Sequence, residues 1–225
     1  MRPVDAVLKE LRAHADHRNV DGQARFGITG GNRIGVSVTT LRAIGKPHRR
    51  DHQLALDLWQ TGVHEARMLA AIIDDPTKVT KAQMELWARN FDSWDIVDNC
   101  CWGLFDRTPY ARAKIDVWTH RRAEFVKRGG FALIAGLAVH DKALSDDVFI
   151  DLLEPIEREA GDDRNFVRKA VNWALREIGK RNLSLNAVAL DAGGRIRAQG
   201  TRSARWIAAD ALRELRSDAV QARLH

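Results

Sequence analysis

Apolar residues recur at helical spacing along almost the whole chain, and this period constrains the fold more than any other feature. Val4, Val7, Leu8 and Leu11 mark a first amphipathic helix. Leu54, Leu58 and Trp59 follow Asp51. Ala66, Leu69, Ala70 and Ile73 run up to a stop at Asp74-Asp75-Pro76. Thr80 is placed to cap a helix through Met84 and Trp87, with Gln83 as its capping-box partner. Further helices are expected at 94–106, 110–119, 121–139, 145–158, 164–179, 182–192 and 203–216, with a break at Gly129-Gly130 in the third of these. The intervening loops are short, which joins helices as antiparallel neighbours. One Tyr, few β-branched runs and plentiful Ala, Leu, Arg and Glu speak against a sheet. The Gly-rich stretch from Gly27 to Gly35 has the spacing of neither a phosphate loop nor a dinucleotide fingerprint, and reads as a connector.

A weak repeat overlies the helical period. Segments opening on Arg67, Arg128, Arg168 and Arg205 each run from a basic residue into a small apolar helix, separated by 61, 40 and 37 residues. A further unit around Asp98 divides the first gap into 31 and 30. Periods of this size indicate stacked helix pairs. The expected fold is all-α, an α-solenoid of HEAT-like (armadillo-type) antiparallel helix pairs, forming one domain over 1–225. The repeated arginines would line a concave basic face, where helix N-termini add donors suited to phosphate.

Charge points the same way. Residues 1–50 hold 10 Lys and Arg against 4 Asp and Glu, while the remaining 26 of each sign cancel, so the whole net charge of +6 sits in the N-terminal part. Residues 195–225 carry 7 Arg against 3 acids. DNA or RNA is the natural partner of such ends, although a net charge of +6 also serves plain solubility. No run of about 18 apolar residues exists, so no membrane span is expected. The charged N-terminus lacks a signal-peptide core, so a cytoplasmic protein is expected.

Common catalytic sets are missing. His64-Glu65-Ala66-Arg67-Met68 starts like a zinc-protease helix but has no second His, and the eight His form no paired-ligand pattern, so no metal is expected. There is no Gly-x-Ser-x-Gly elbow. Cys100 and Cys101 are adjacent in an apolar run and read as neither disulfide nor metal ligands. Seven tryptophans stand out. Trp94 and Asp98 are four apart, so one helical face carries an indole beside a carboxylate; a structural Trp with a capping Asp fits the same spacing. Trp173 sits at the edge of the stripe Ala170, Val171, Ala174, Leu175 and Ile178, and spacing leaves open whether it is core or exposed. Trp59, Trp87, Trp102 and Trp118 fit core positions, and Trp206 fits either.

In four stretches the chain resembles the AlkD-like family of DNA alkylation repair glycosylases. They are Phe26-Gly27-Ile28 with Gly35-Val36-Ser37 and Leu41-Arg42-Ala43-Ile44, then Ser93 to Asp98, Lys127 to Leu133, and Phe166 to Glu177. The Trp-Asp-x-x-Asp and Lys-Ala-x-x-Trp-x-Leu-Arg pieces are specific when found together. The resemblance implies HEAT-like helix pairs around duplex DNA, and hydrolysis of the N-glycosidic bond of N3- or N7-alkylated purines without a cofactor. Asp98 matches the family's catalytic carboxylate. Trp94 and Trp173 match the two indoles flanking the lesion's sugar. Arg128 matches a basic residue on the DNA backbone. Arg168, Lys169 and Arg205 are expected, from the row of basic residues, as further backbone contacts. Two positions depart from the pattern. Ser93 replaces the first of a Trp pair, and Gly129-Gly130 replaces Ala-Ala, at about 1 kcal/mol of helix stability per Gly.

The chemistry is consistent with those residue types. A cationic alkylpurine leaves without a general acid, and the sugar becomes oxocarbenium-like. A carboxylate at about 4 Å and an effective dielectric near 20 contributes roughly 4 kcal/mol, an upper bound. Each indole face adds about 0.5–2 kcal/mol. The partner expected is double-stranded DNA containing alkylated purines, and the protein is expected to act as a monomer, away from membranes. The competing expectation is a non-catalytic HEAT-repeat scaffold that binds nucleic acid or protein, for which Asp98 would have no use.

Overall fold

The computed structural model describes residues 2–224, and every regular element among them is a helix. Contacts gather the chain into two compact units, one ending at Tyr110 and the other starting at Ala111. The first holds α1 (Pro3–Ala13), α2 (His17–Arg25), α3 (Val38–Gly45), α4 (His52–Gln60), α5 (His64–Ile73), α6 (Lys81–Ala88) and α7 (Trp94–Cys101). Here α4 pairs with α5, and α5 packs against both α3 and α7. The second holds α8 (Ala111–Trp118), α9 (Glu124–His140), α10 (Asp146–Asp151), α11 (Leu153–Glu159), α12 (Asn165–Gly179), α13 (Leu183–Ala198), α14 (Arg202–Leu215) and α15 (Asp218–Leu224). There α8 pairs with α9 and α13 with α14, while α12 lies between α9 and α14. The repeated segments of the sequence are therefore α5, α7, α9, α12 and α14, the helices that stack on one another within each unit.

The stacking follows from the apolar stripes. On α12, Val167, Ala170, Val171, Ala174, Leu175 and Ile178 are all fully buried, at the i, i+3, i+4 spacing of one helical face. In the first unit Trp59 and Trp87 stack with ring centroids 4.0 Å apart and planes 1° from parallel. Trp118 is fully buried in the second. Trp102 departs from expectation: it is half-buried, because α7 ends just before it and its backbone is extended.

Boundary signals work where local chemistry decides them. Asp51 accepts from the Leu54 amide at 3.0 Å and Thr80 from the Gln83 amide at 3.1 Å. The capping box is only half made, since the Gln83 side-chain amide donates to Asp74 at 2.6 Å instead of turning back to the cap. The expected helix 94–106 is cut short because Gly103 takes φ +104, and a 3-10 turn at Phe105–Arg107 follows. The expected helix 145–158 is divided at Leu152, where Pro155 has no N–H to return to the preceding turn. The helix expected at 182–192 continues to Ala198. Helices α2, α3 and α15 lie outside the stretches read as helical from spacing, and in α2 the reason is that none of its residues is buried.

The break expected at Gly129-Gly130 does not occur, and α9 runs unbroken from Glu124 to His140. Both glycines are buried. A Cβ on Gly130 would lie 2.8 Å from both the backbone nitrogen and Cγ2 of Thr119, at the end of α8. The missing side chain allows a close helix approach rather than a hinge. Gly130→Val is therefore expected to destabilise by about 2 kcal/mol or more. Gly194→Ala, on α13 with nothing within 4 Å of the new methyl, should stabilise by about 0.5–1 kcal/mol. Urea unfolding of the full chain with each variant checks both signs.

Candidate functional site

The first turn of α7 sits against an open pocket of about 570 Å³. Trp94 and Asp98 both line it, as their four-residue spacing requires. The opposite side comes from α2, the connector and α3, through Phe26, Ile28, Val36 and Leu41 among others. The Trp94 indole nitrogen donates to the Phe26 carbonyl at 3.0 Å, which holds the ring at the junction of α7 and the connector. Phe26 itself is 73% exposed, an unusual position for a large apolar side chain next to a pocket. The pocket thus presents an indole, a phenyl ring and the Asp98 carboxylate on mainly apolar walls, with His64, Glu65 and Asp95 also in its lining.

A buried polar frame supports this arrangement. At Ser93, where the family resemblance shows a departure, the hydroxyl is fully buried and donates to Asp95 at 2.5 Å. The other Asp95 oxygen pairs with His64 Nε2 at 2.8 Å. Asp95 also accepts from the Ile96 amide at 3.0 Å, in the first turn of α7 where negative charge is favoured. Burial disfavours the imidazolium of His64, yet the Asp95 hydrogen bond and the nearby carboxylates outweigh it and raise its pKa above the ordinary histidine value. Burial likewise opposes the Asp95 carboxylate, but His64, Ser93 and the Ile96 amide hold its pKa below the usual range. Next along α5, the buried Glu65 carboxylate accepts from the Ile34 and Gly35 amides at 2.9 and 2.7 Å and from Gln23 at 3.3 Å. Gly35 is required here. Its φ is +79, and a Cβ would lie 2.0 Å from the Asp16 carbonyl oxygen. The connector is thereby fastened to α2 and α5, and with it one wall of the pocket.

The remaining sequence candidates lie in the second unit. Arg128 is 6% exposed and donates to the Phe166 carbonyl at 2.7 Å. Its guanidinium is held within the helix layer. Arg168 on α12 stacks over Trp206 of α14 at 4.7 Å and donates to Asn165 at 3.2 Å. Trp206 is 37% exposed. Lys169 is exposed, and Trp173, one turn further along α12, is half-buried, so it does not close into the core. Arg205 is exposed and donates to the Gly200 carbonyl at 2.7 Å.

His64, Asp95, Glu65 and Phe26 were not singled out as site residues by spacing. His64-Glu65 carried a signal as an incomplete zinc motif, but its partners are Asp95 and the connector amides. Among the described residues, no group of three or more His, Cys, Asp or Glu side chains could hold a metal ion. Both cysteines are buried, and burial pushes the Cys100 thiol well up, away from nucleophilic use. No helix is long and apolar enough to cross a membrane among the described residues.

A family model described as "DNA alkylation repair enzyme" matches residues 7–215. The chain belongs to the DNA alkylation repair enzyme family. No curated relative matches it. Among solved structures, it is similar to a protein described as belonging to "a new family of proteins related to the HEAT-like repeat DNA glycosylases with affinity for branched DNA structures". The two superpose with a TM-score of 0.80 over 99% of this chain and 96% of that one, at 18% identity. That likeness shows the fold, a HEAT-like repeat.

The His64–Asp95 pair carries a pH signature. A raised His64 pKa stabilises below the ordinary histidine range, and that contribution is lost as pH rises through the folded value. A lowered Asp95 pKa stabilises above the ordinary carboxylate range, and its contribution is lost as pH falls through the folded value. In NMR titration the His64 midpoint should exceed 6.5 in the wild type. In Asp95→Asn it should fall below 6.5, because burial remains and the main partner is gone.

Proposed function

We propose that this protein is a monofunctional DNA glycosylase that hydrolyses the N-glycosidic bond of cationic N3- and N7-alkylpurines in duplex DNA. Asp98 is its electrostatic and water-orienting carboxylate. The observation that carries the reading is the placement of Asp98 and Trp94 on one face of α7, at the wall of an open pocket. Family membership supports a repair enzyme of this broad type.

In this reading the lesion supplies its own leaving-group activation. As the base departs with the bonding electrons, positive charge grows on the deoxyribose. Asp98 attracts that charge and orients the water that attacks the anomeric carbon; the water's second proton passes to solvent. Attraction at about 4 Å is worth up to roughly 4 kcal/mol, or about three tenfold steps in rate. The Trp94 face favours the same cation by about 0.5–2 kcal/mol. The Phe26 carbonyl fixes that indole, which limits the reorganisation needed on binding. Trp173 keeps the role the family resemblance gives it, and Arg128, Arg168, Lys169 and Arg205 are proposed to serve the DNA backbone. Because Arg128 is buried, its proposed role is to position the α9–α12 contact beside the DNA.

A second reading is favoured by the structural neighbour, whose family has affinity for branched DNA. It makes this chain a non-catalytic binder of DNA junctions. Release of 7-methylguanine and 3-methyladenine from methylated duplex DNA decides between them. Wild type should release both, and Asp98→Asn should lower the single-turnover rate by up to about 1000-fold. Absence of release, with tight binding to a four-way junction, would establish the second reading. Release unaffected by the substitution would remove Asp98 from the mechanism.

A further inference from the structure

Away from the pocket on α7, a basic groove of about 460 Å³ lies between the end of α13 and one side of α14. Arg197, Arg205, Arg213 and Arg216 surround it, over a floor of Ala209 and Leu212. No carboxylate and no residue of α12 lines it.

The charge on α14 is segregated by side. Its acids turn toward α12: Asp210 accepts from Asn172 at 2.7 Å, and Glu214 pairs with Arg176 and Lys180. Trp206 also lies on that side, under Arg168. The arginines gather on the other side. Arg213 reaches back to Asp210, and Arg205 hydrogen-bonds the Gly200 carbonyl. Arg197 and Arg216 make no ion pair or side-chain hydrogen bond among the described residues. Four guanidiniums border one groove, and of them Arg213 alone has an ion-pair partner among the described residues, so the groove carries a net positive charge that favours an anion. Guanidinium forks match phosphate oxygens bidentately.

We propose that this groove is a phosphate-binding site for the DNA backbone, separate from the face of α14 that carries Trp206. It would hold a stretch of backbone distant from the nucleotide being processed. The inference rests on DNA as the partner, but not on base excision.

The test is binding of the full chain to an unmodified duplex of about 30 base pairs across a salt series. Removing one cation that neutralises a phosphate should flatten the log–log salt dependence by about 0.9. Arg197→Gln/Arg216→Gln is expected to reduce the slope by about 2, and Arg197→Lys/Arg216→Lys to retain most of it. Lys78→Gln/Lys142→Gln removes the same charge from exposed positions elsewhere and should leave the slope unchanged. An unchanged slope in the Gln double variant, or an equal fall in the lysine control, overturns the proposal. So does binding of polyglutamate that the Gln variant abolishes while DNA binding holds, which would make the groove a site for an acidic protein segment. Circular dichroism confirms that each variant is folded. A slope that falls as expected in a protein that releases no base would refute the glycosylase reading and leave this one standing.

Discussion

Everything in this structure depends on a stacking requirement. No single helix pair here buries its own apolar stripe, so each must be covered by the next pair within its unit. In the second unit α12 meets this by being covered from both α9 and α14. The cost of that arrangement is paid in side-chain size. Gly130 and Gly193 sit where a Cβ would strike Thr119 or Leu212, and both lie inside helices despite the propensity penalty. The approach gained by their absence outweighs the local loss. Once the stripes are buried, only the flanks of the stacked helices remain for chemistry, and Trp94, Asp98, Lys169 and Trp173 all lie on such flanks.

The pocket on α7 needs a second device, because the connector that forms its far wall has no helix or strand of its own. Buried charge provides it. Glu65 collects two connector amides and the Gln23 side chain, while Asp95 ties α7 to α5 through His64. A buried carboxylate is costly unless fully hydrogen-bonded, so each of these interactions holds only in one conformation. The consequence is positional precision for Trp94 and Asp98, which lie next to the frame. Ser93 fits this reading: its small hydroxyl-bearing side chain is fully buried next to Trp94 and completes the shell of Asp95.

Charge is handled differently in the two halves of the function proposed. Around Asp98 the pocket walls are mainly apolar, and Asp95 and Glu65 are already engaged by the buried frame, an arrangement suited to a transient cation. On α13 and α14 the guanidiniums collect on one side and the carboxylates turn to the other, suited to a fixed polyanion. Both follow from the helical period, which lets one helix present opposite characters on opposite flanks.

The sequence by itself determined the helical class, the repeat, most helix starts and the pairing of Trp94 with Asp98 on one face. Each of these is a property of spacing along a single helix or of a cap within four residues. Tertiary structure alone decided the rest. Gly129-Gly130 reads as a break until α8 is seen against it. Arg128 reads as a surface cation until its guanidinium is found on the Phe166 carbonyl. Helix α2 leaves no period because none of its residues is buried, and Phe26, His64 and Glu65 meet the pocket only through contacts that span tens of residues. Spacing encodes which side of a helix a residue takes; what covers that side is a fact about another part of the chain.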